Sequence, residues 1–135
     1  MIVLDTCVIL KYALDEKGAE KISLFFKRLK NKEEKAIIPA TVILEIVAIL
    51  AKRGLKEMAF EIEEFLVNLG VKVEPITRDL AVIGGLLKAK YSLIKKDFSY
   101  NDALILALAI QNDAIVFSFD PELQGISEVK IKSSL

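Results

Sequence analysis

Short apolar runs alternate with longer stretches of helical periodicity along this chain. Residues 2–4, Ile-Val-Leu, form an apolar run that Asp5 and Thr6 break, and a run of that length predicts a buried strand. Residues 8–14 predict a first helix and residues 15–18 a turn. Over residues 19–30, Ile22, Phe25, Phe26 and Leu29 recur at the spacing of an amphipathic helix. Ala36, Ile37 and Ile38 predict a second buried strand, stopped by Pro39. An apolar helix is expected over residues 40–52, closed by Gly54. Another is expected over residues 55–69, with Gly70 just past its end. Residues 71–73 predict a third strand, followed by Pro75. Thr77 is placed to cap a helix running to about Lys90, with Asp79 in its first turn. The Gly84-Gly85 pair inside that helix costs about 1 kcal/mol per glycine relative to alanine, and close helix packing would account for it. Residues 91–98 read as a loop. Ser99 then begins a helix through Gln111, residues 114–117 a fourth strand, and residues 118–124 a loop or short helical turn. Val129 and Ile131, separated by Lys130, suggest a final edge strand.

Strands that alternate with helices and are apolar almost throughout predict a parallel sheet covered on both faces. The expected fold is therefore a three-layer α/β/α domain with a mostly parallel central sheet of about four to five strands. The 135 residues read as one domain, 1–135, without repeat or linker. One cysteine, Cys7, excludes an internal disulfide and suits a reducing compartment. Asp5 precedes any basic residue, unlike a secretory signal. The longest apolar stretch, residues 36–51, is interrupted by Pro39 and Glu45 and does not reach the roughly 18 residues of a membrane span. A soluble, cytoplasmic protein is expected. Lys- and Glu-rich, glutamine-poor usage leans toward a thermophilic source.

Lys plus Arg and Asp plus Glu each number 19, which argues against a simple polycationic nucleic-acid binder. Carboxylates committed to a metal would still leave the rest of the surface effectively basic. Cations crowd Lys27, Arg28, Lys30, Lys32 and Lys35, and again Lys88, Lys90, Lys95 and Lys96; solvated helix faces are the plain reading of both groups. Histidine is absent, which excludes a Ser-His-Asp triad, a Cys-His pair, a histidine-based nuclease and a cysteine–histidine zinc site. Neither GxxxxGK nor GxGxxG occurs. Carboxylate and hydroxyl chemistry is left, and oxygen-only sites suit Mg²⁺ or Mn²⁺.

Ligand sites of open parallel sheets lie beyond the carboxyl ends of the strands. Asp5 directly follows the first expected strand, and Asp120 follows the fourth after Ser118 and Phe119. Glu45 lies just past the first turn of the helix leaving the second strand. Asp102 lies in the first turn of the helix that runs into the fourth strand, so that its N-terminal end belongs at the same sheet edge. Plainer readings stand beside each. Asp5 would also serve as an N-cap. Glu45 shares a stripe with Thr41, Ala48 and Lys52 that an ordinary solvent face would match. Asp102, three residues after Ser99, fits a capping box; yet it shares its face with Ile105, Leu106 and Ala109, and an inward carboxylate needs a cation or donors. Asp120 before Pro121 fits a cap followed by proline at the first helical position. Thr6 and Ser118 would orient water or phosphate, or act as turn hydroxyls. Cys7 reads as a small buried side chain rather than a nucleophile. Asp15, Asp79, Asp97 and Asp113 read as turn, cap or surface residues.

Ile2-Val3-Leu4-Asp5-Thr6, the isolated Glu45 after a proline-broken strand, Ser99-Tyr100-Asn101-Asp102-Ala103 and Phe117-Ser118-Phe119-Asp120 occur in this order. Together they closely resemble the PIN-domain family, and within it the VapC-type toxin ribonucleases and stand-alone archaeal PIN proteins. The resemblance spans essentially the whole chain. It implies a parallel-sheet α/β domain with metal-dependent ribonuclease activity. It assigns Asp5, Glu45, Asp102 and Asp120 to an acidic site and gives Thr6 and Ser118 supporting hydroxyl roles. Cys7 departs from the Ser or Asn frequent in relatives and receives no role. One or two Mg²⁺ or Mn²⁺ ions are expected between Asp5, Asp102 and Asp120, with Glu45 as ligand or water-holder. Metal-activated water would then attack a phosphodiester in line. The resemblance implies products with 5′-phosphate and 3′-hydroxyl ends, an RNA substrate and an antitoxin partner. A homodimer or higher homo-oligomer is also expected. Most of Phe60, Ile62, Phe65, Leu66, Ile83, Leu86 and Leu87 are expected in the core, with some left for such an interface. Two other readings stay open: a non-catalytic RNA- or protein-binding module, and a metal nuclease acting on single-stranded DNA.

Overall fold

The computed structural model describes all of residues 1–135. Its central sheet has five strands: β1 (Ile2–Leu4), β2 (Ala36–Pro39), β3 (Lys72–Glu74), β4 (Ile115–Phe117) and β5 (Ile131–Lys132). Their order is β3-β2-β1-β4-β5, and every neighbouring pair is parallel. The three middle strands are short and almost wholly buried, which is why their sequences lack a polar face.

Six α-helices connect the strands: α1 (Thr6–Ala13), α2 (Ala19–Lys30), α3 (Ala40–Lys52), α4 (Lys56–Asn68), α5 (Arg78–Tyr91) and α6 (Tyr100–Asn112). The connections run outward from β1 through β2 to β3, then back across the sheet to β4. Right-handed crossovers in opposite directions place α1–α4 on one face and α5–α6 on the other. This is the expected three-layer fold with five parallel strands. A core cluster of 35 buried residues lies between the layers, with Leu4, Ile38, Ile46, Leu66, Ile105 and Leu106 among its fully buried side chains. No helix is long and apolar enough to cross a membrane.

Several boundaries move from their sequence-based positions, each for a local reason. The first helix starts at Thr6 rather than residue 8, because Val8 N–H already reaches the Asp5 carbonyl at 3.1 Å. Pro39 does not stop β2 but ends it, paired with Glu74 of β3. There it is past the last β1 partner, so its missing N–H costs no ladder bond on that side. The third strand shifts to Lys72–Glu74, because Gly70, in the left-handed region at φ 82°, turns the chain out of α4 and leaves Val71 buried just before the ladder. Of the apolar helix residues, Ile62, Leu66 and Leu87 are core, whereas Phe60 and Leu86 stand largely in solvent.

The Gly84-Gly85 pair divides between two environments. Gly84 is buried where α5 crosses α6, and a Cβ there would stand 3.1 Å from Leu104 Cδ2. Gly85 faces open space. Close packing therefore accounts for Gly84 alone. Gly85→Ala is expected to raise stability by about 0.4–1 kcal/mol, and Gly84→Val to lower it by about 1–3 kcal/mol through overpacking. Urea unfolding of the two variants measures both; a stabilised Gly84→Val would contradict the packing account.

The chain after β4 is tied back to α5. Glu128 accepts hydrogen bonds from the Lys90 ammonium and the buried Tyr91 hydroxyl. The bond from Lys90, then that from Tyr91, holds the Glu128 carboxyl down at about 2.

Candidate active site

The strand order reverses between β1 and β4, and there the carboxyl ends of adjacent parallel strands open a crevice. Asp5 leaves β1 at this point, and its N–H still bonds the Phe117 carbonyl of β4 at 3.1 Å. Asp5 occupies the N-cap position of α1 but makes no side-chain cap bond. Its carboxylate turns inward. Oδ2 accepts from Ser118 Oγ at 2.5 Å and from Cys7 Sγ at 3.1 Å. Ser118 in turn accepts from Asp120 N–H at 2.9 Å, so one buried hydroxyl joins the acids that follow the two strands.

Asp102 realises both of its sequence readings. A full capping box forms, with Asp102 N–H donating to Ser99 Oγ at 3.0 Å and Ser99 N–H donating to Asp102 Oδ2 at 2.8 Å. The same side chain is buried, on the face that carries Ile105, Leu106 and Ala109. Asp120 also caps, accepting from Glu122 N–H at 2.9 Å ahead of the 3₁₀ turn Pro121–Leu123. Glu45, on α3, is half-buried and accepts from the Asn101 amide. The far end of its stripe, Ala48 and Lys52, is exposed.

The acids act on one another electrostatically. Burial, first of all, raises the pKa of Asp5, of Glu45 and of Asp102, the last to about 6. Repulsion adds to each: Asp120 on Asp5, Asp5 and Asp120 on Glu45, and Asp5 and Asp120 on Asp102. Four carboxylates from four elements therefore share one neighbourhood. None of them belongs to any of the three ion pairs of the molecule, Arg28–Glu34, Lys72–Glu74 and Lys90–Glu128.

Thr6 and Ser118 are both buried. Ser118 works on the acids directly, and Thr6 accepts from Asn101 Nδ2 at 3.1 Å. Asn101 is the residue that sequence reasoning missed. Its amide donates to Glu45 and Thr6 and accepts from Thr41 Oγ1 at 2.7 Å, so three helices meet on one side chain whose polar atoms are all engaged. The available signal was its place beside Asp102 in the first turn of a helix, where a side chain reaches the same sheet edge. Cys7, given no role from sequence, holds Asp5 and accepts from Phe119 N–H at 3.4 Å. Burial, then the Asp5 charge, pushes its thiol up to about 12, so it serves as a neutral donor rather than a thiolate.

All-oxygen donors, with Asp5 and Asp102 buried and none of the four acids in an ion pair, suit a hard divalent ion. As the side chains stand, no three acidic or thiol groups are arranged to hold one. Each acid commits one oxygen to a protein donor, so the second oxygen is the one an ion would draw on.

A parallel α/β domain with carboxylates gathered at its switch point defines a class of protein, and the sequence places the chain within it. Residues 2–129 match the PIN domain family model; the chain belongs to the PIN-domain family. Among curated proteins, none matches the sequence. Among solved structures, the chain is similar to VapBC2 from Rickettsia felis bound to a DNA fragment from its promoter, with 19% identity, TM-score 0.78 and 98% of each chain covered. It is similar to DNA-bound VapBC from Salmonella typhimurium, at 17% identity and TM-score 0.74, over 97% of this chain and 96% of the other. It also resembles VapC20 from Mycobacterium tuberculosis, described as a sarcin-ricin loop cleaving toxin, at 20% identity and TM-score 0.70, over 96% and 98%. At such identities the likeness concerns the fold.

Proposed function

We propose that this protein is a metal-dependent endoribonuclease, the toxin of a VapBC-type pair or an RNA-processing PIN nuclease, acting as one PIN-like domain in the cytoplasm. The observation that carries the reading is Asp5: a carboxylate 4% exposed, at the switch point, repelled by a neighbouring acid and paired to no cation. An unpaired buried charge is costly unless something compensates it, and a divalent ion at Asp5, Asp102 and Asp120, with Glu45 as ligand or water-holder, would do so. When bound, Mg²⁺ or Mn²⁺ supplies Lewis acidity to water and to the phosphodiester. The chain supplies the orientation. Ser118 and Cys7 hold Asp5 Oδ2, the capping box holds Asp102, and Asn101 holds Glu45 Oε2, leaving Oε1 for a water proton. The structural likeness to toxins solved with their antitoxins supports an antitoxin protein as partner, and the exposed Phe60 and Leu86 suit a homodimer or higher homo-oligomer.

Cleavage of labelled RNA and of matched single-stranded DNA, with EDTA and after Mn²⁺ re-addition, tests the reading. RNA cleavage that EDTA stops and Mn²⁺ restores is the expected result. Cleavage indifferent to EDTA would remove the metal from the mechanism. Binding without cleavage would favour a binding module, and preference for DNA a DNA nuclease.

Asn101 is read as a positioning residue for Glu45. Groups that orient ligands are worth about 10–100-fold in activity, so Asn101→Ala is expected to lower kcat/KM by that factor, and Thr41→Val by less. Full activity of Asn101→Ala in a kinetic assay would reduce its network to a structural strut.

A further inference from the structure

Two cation–aromatic pairs have their rings on segments that deliver the acids. Lys11 Nζ lies 5.3 Å from the ring centroid of Phe119, the residue immediately before Asp120. Lys88 Nζ lies 4.8 Å from the ring centroid of Tyr100, two residues before Asp102. Tyr100 is 75% exposed, so its ring contributes almost nothing to the core and keeps a face open to solvent. Lys88 is anchored over it by donating to the Phe98 carbonyl. Neither lysine belongs to an ion pair. On the Phe119 side, a groove of about 410 Å³ runs past Lys11, Phe119 and Arg53 up to Asp120.

We propose that these two pairs, Lys11 with Phe119 and Lys88 with Tyr100, seat nucleotides of a single-stranded RNA beside the acid cluster. A nucleotide offers a flat π face and an anion, and each pair offers the complement of both. Stacking on an aromatic ring accepts any base, and lysine neutralises phosphate. The cations also answer a physical need. A polyanion approaching four carboxylates is repelled, and fixed positive charge on the flanking segments offsets that repulsion. A protein partner would have no comparable use for unpaired lysines held over single rings. The proposal rests on the nuclease reading for the identity of the strand.

The test is fluorescence anisotropy with a short labelled RNA and a DNA of the same sequence, on an Asp5→Asn background so that the oligonucleotide stays intact. Tyr100→Ala and Phe119→Leu are each expected to weaken RNA binding by about 5- to 100-fold, while Tyr100→Phe binds normally. Leucine keeps apolar volume against Phe117, and thermal melting checks that the variant folds. Lys11→Gln and Lys88→Gln are each expected to flatten the log–log salt dependence by about 0.7. In the otherwise unaltered chain, the aromatic variants should raise KM and leave kcat in place. Folded aromatic variants that bind RNA like their parent overturn the proposal, as does a parent that binds no RNA or a loss confined to DNA. A chain that cleaves RNA normally in all these variants keeps the nuclease reading and loses this one. A chain that cleaves nothing, yet binds RNA through Tyr100 and Phe119, does the reverse.

Discussion

Asp5→Asn is expected to abolish RNA cleavage, by more than about 100-fold, while leaving the metal-free fold at least as stable as the parent. The loss should exceed the range typical of groups that merely orient a ligand, since Asp5 is assigned to the ion itself. The stability expectation follows from the surroundings of its carboxylate. Burial raises its pKa before any neighbour is considered, and Asp120 adds repulsion. Its partners, the Ser118 hydroxyl and the Cys7 thiol, are neutral. An amide of the same shape removes the buried charge and keeps one carbonyl oxygen for these donors. Ionisation of Asp5 is thus a burden to the metal-free protein, and only a function that needs the charge explains its presence. Melting followed by circular dichroism in EDTA, beside a cleavage assay, separates the two effects. A variant that cleaves at the parental rate removes Asp5 from the mechanism; one that fails to fold makes it a structural residue.

The fold was legible because its three inner strands are short, almost wholly apolar runs set between helices of clear periodicity, and parallel order follows from that alternation. The acids were legible as positions but not as orientations. At Asp5, cap and site compete for one carboxylate, and the cap loses: the N-cap place is filled while the oxygens turn to Ser118, 113 residues away. At Asp102 and Asp120 the competition does not arise. A carboxylate has two oxygens, and the capping bonds use one of them, so a capping signature in sequence says nothing against a second use. Asn101 was legible as a position beside Asp102 but not as the hub of a network. Its partners Thr6, Glu45 and Thr41 are 95, 56 and 60 residues distant, and no local pattern carries contacts of that range. The same holds for the cation–aromatic pairs: Lys88 read only as part of a solvated helix face, and nothing near Lys11 in the sequence marks its place over Phe119.

Chelation is expected to lower the melting temperature at neutral pH, and the metal-free protein to be most stable in mildly acidic solution. The sign follows from acids shifted in opposite directions. Asp102 is raised from 3.8 to about 6, chiefly by burial, so between those values the folded state holds a proton that the unfolded chain has lost. Stability from this group is fully present below about 4 and declines as pH rises through about 6. Asp5 and Glu45, also raised, act in the same direction. Glu128 is lowered from 4.5 to about 2 by Lys90 and Tyr91; its contribution is present above about 4.5 and is lost as pH falls through about 2. A maximum in the metal-free protein therefore lies near pH 4–5. Divalent ions bind only the ionised carboxylates, so their contribution grows over the window in which metal-free stability falls. An ion at 100 times its Kd adds about 2.7 kcal/mol, on the order of 10 °C in a domain of this size. Melting curves between pH 4 and 8, with EDTA and with Mn²⁺, read both effects. Curves that coincide at pH 7 would mean that the four acids gather no ion, and a metal-free melting temperature that does not fall from pH 4 to 7 would mean that they do not strain the fold.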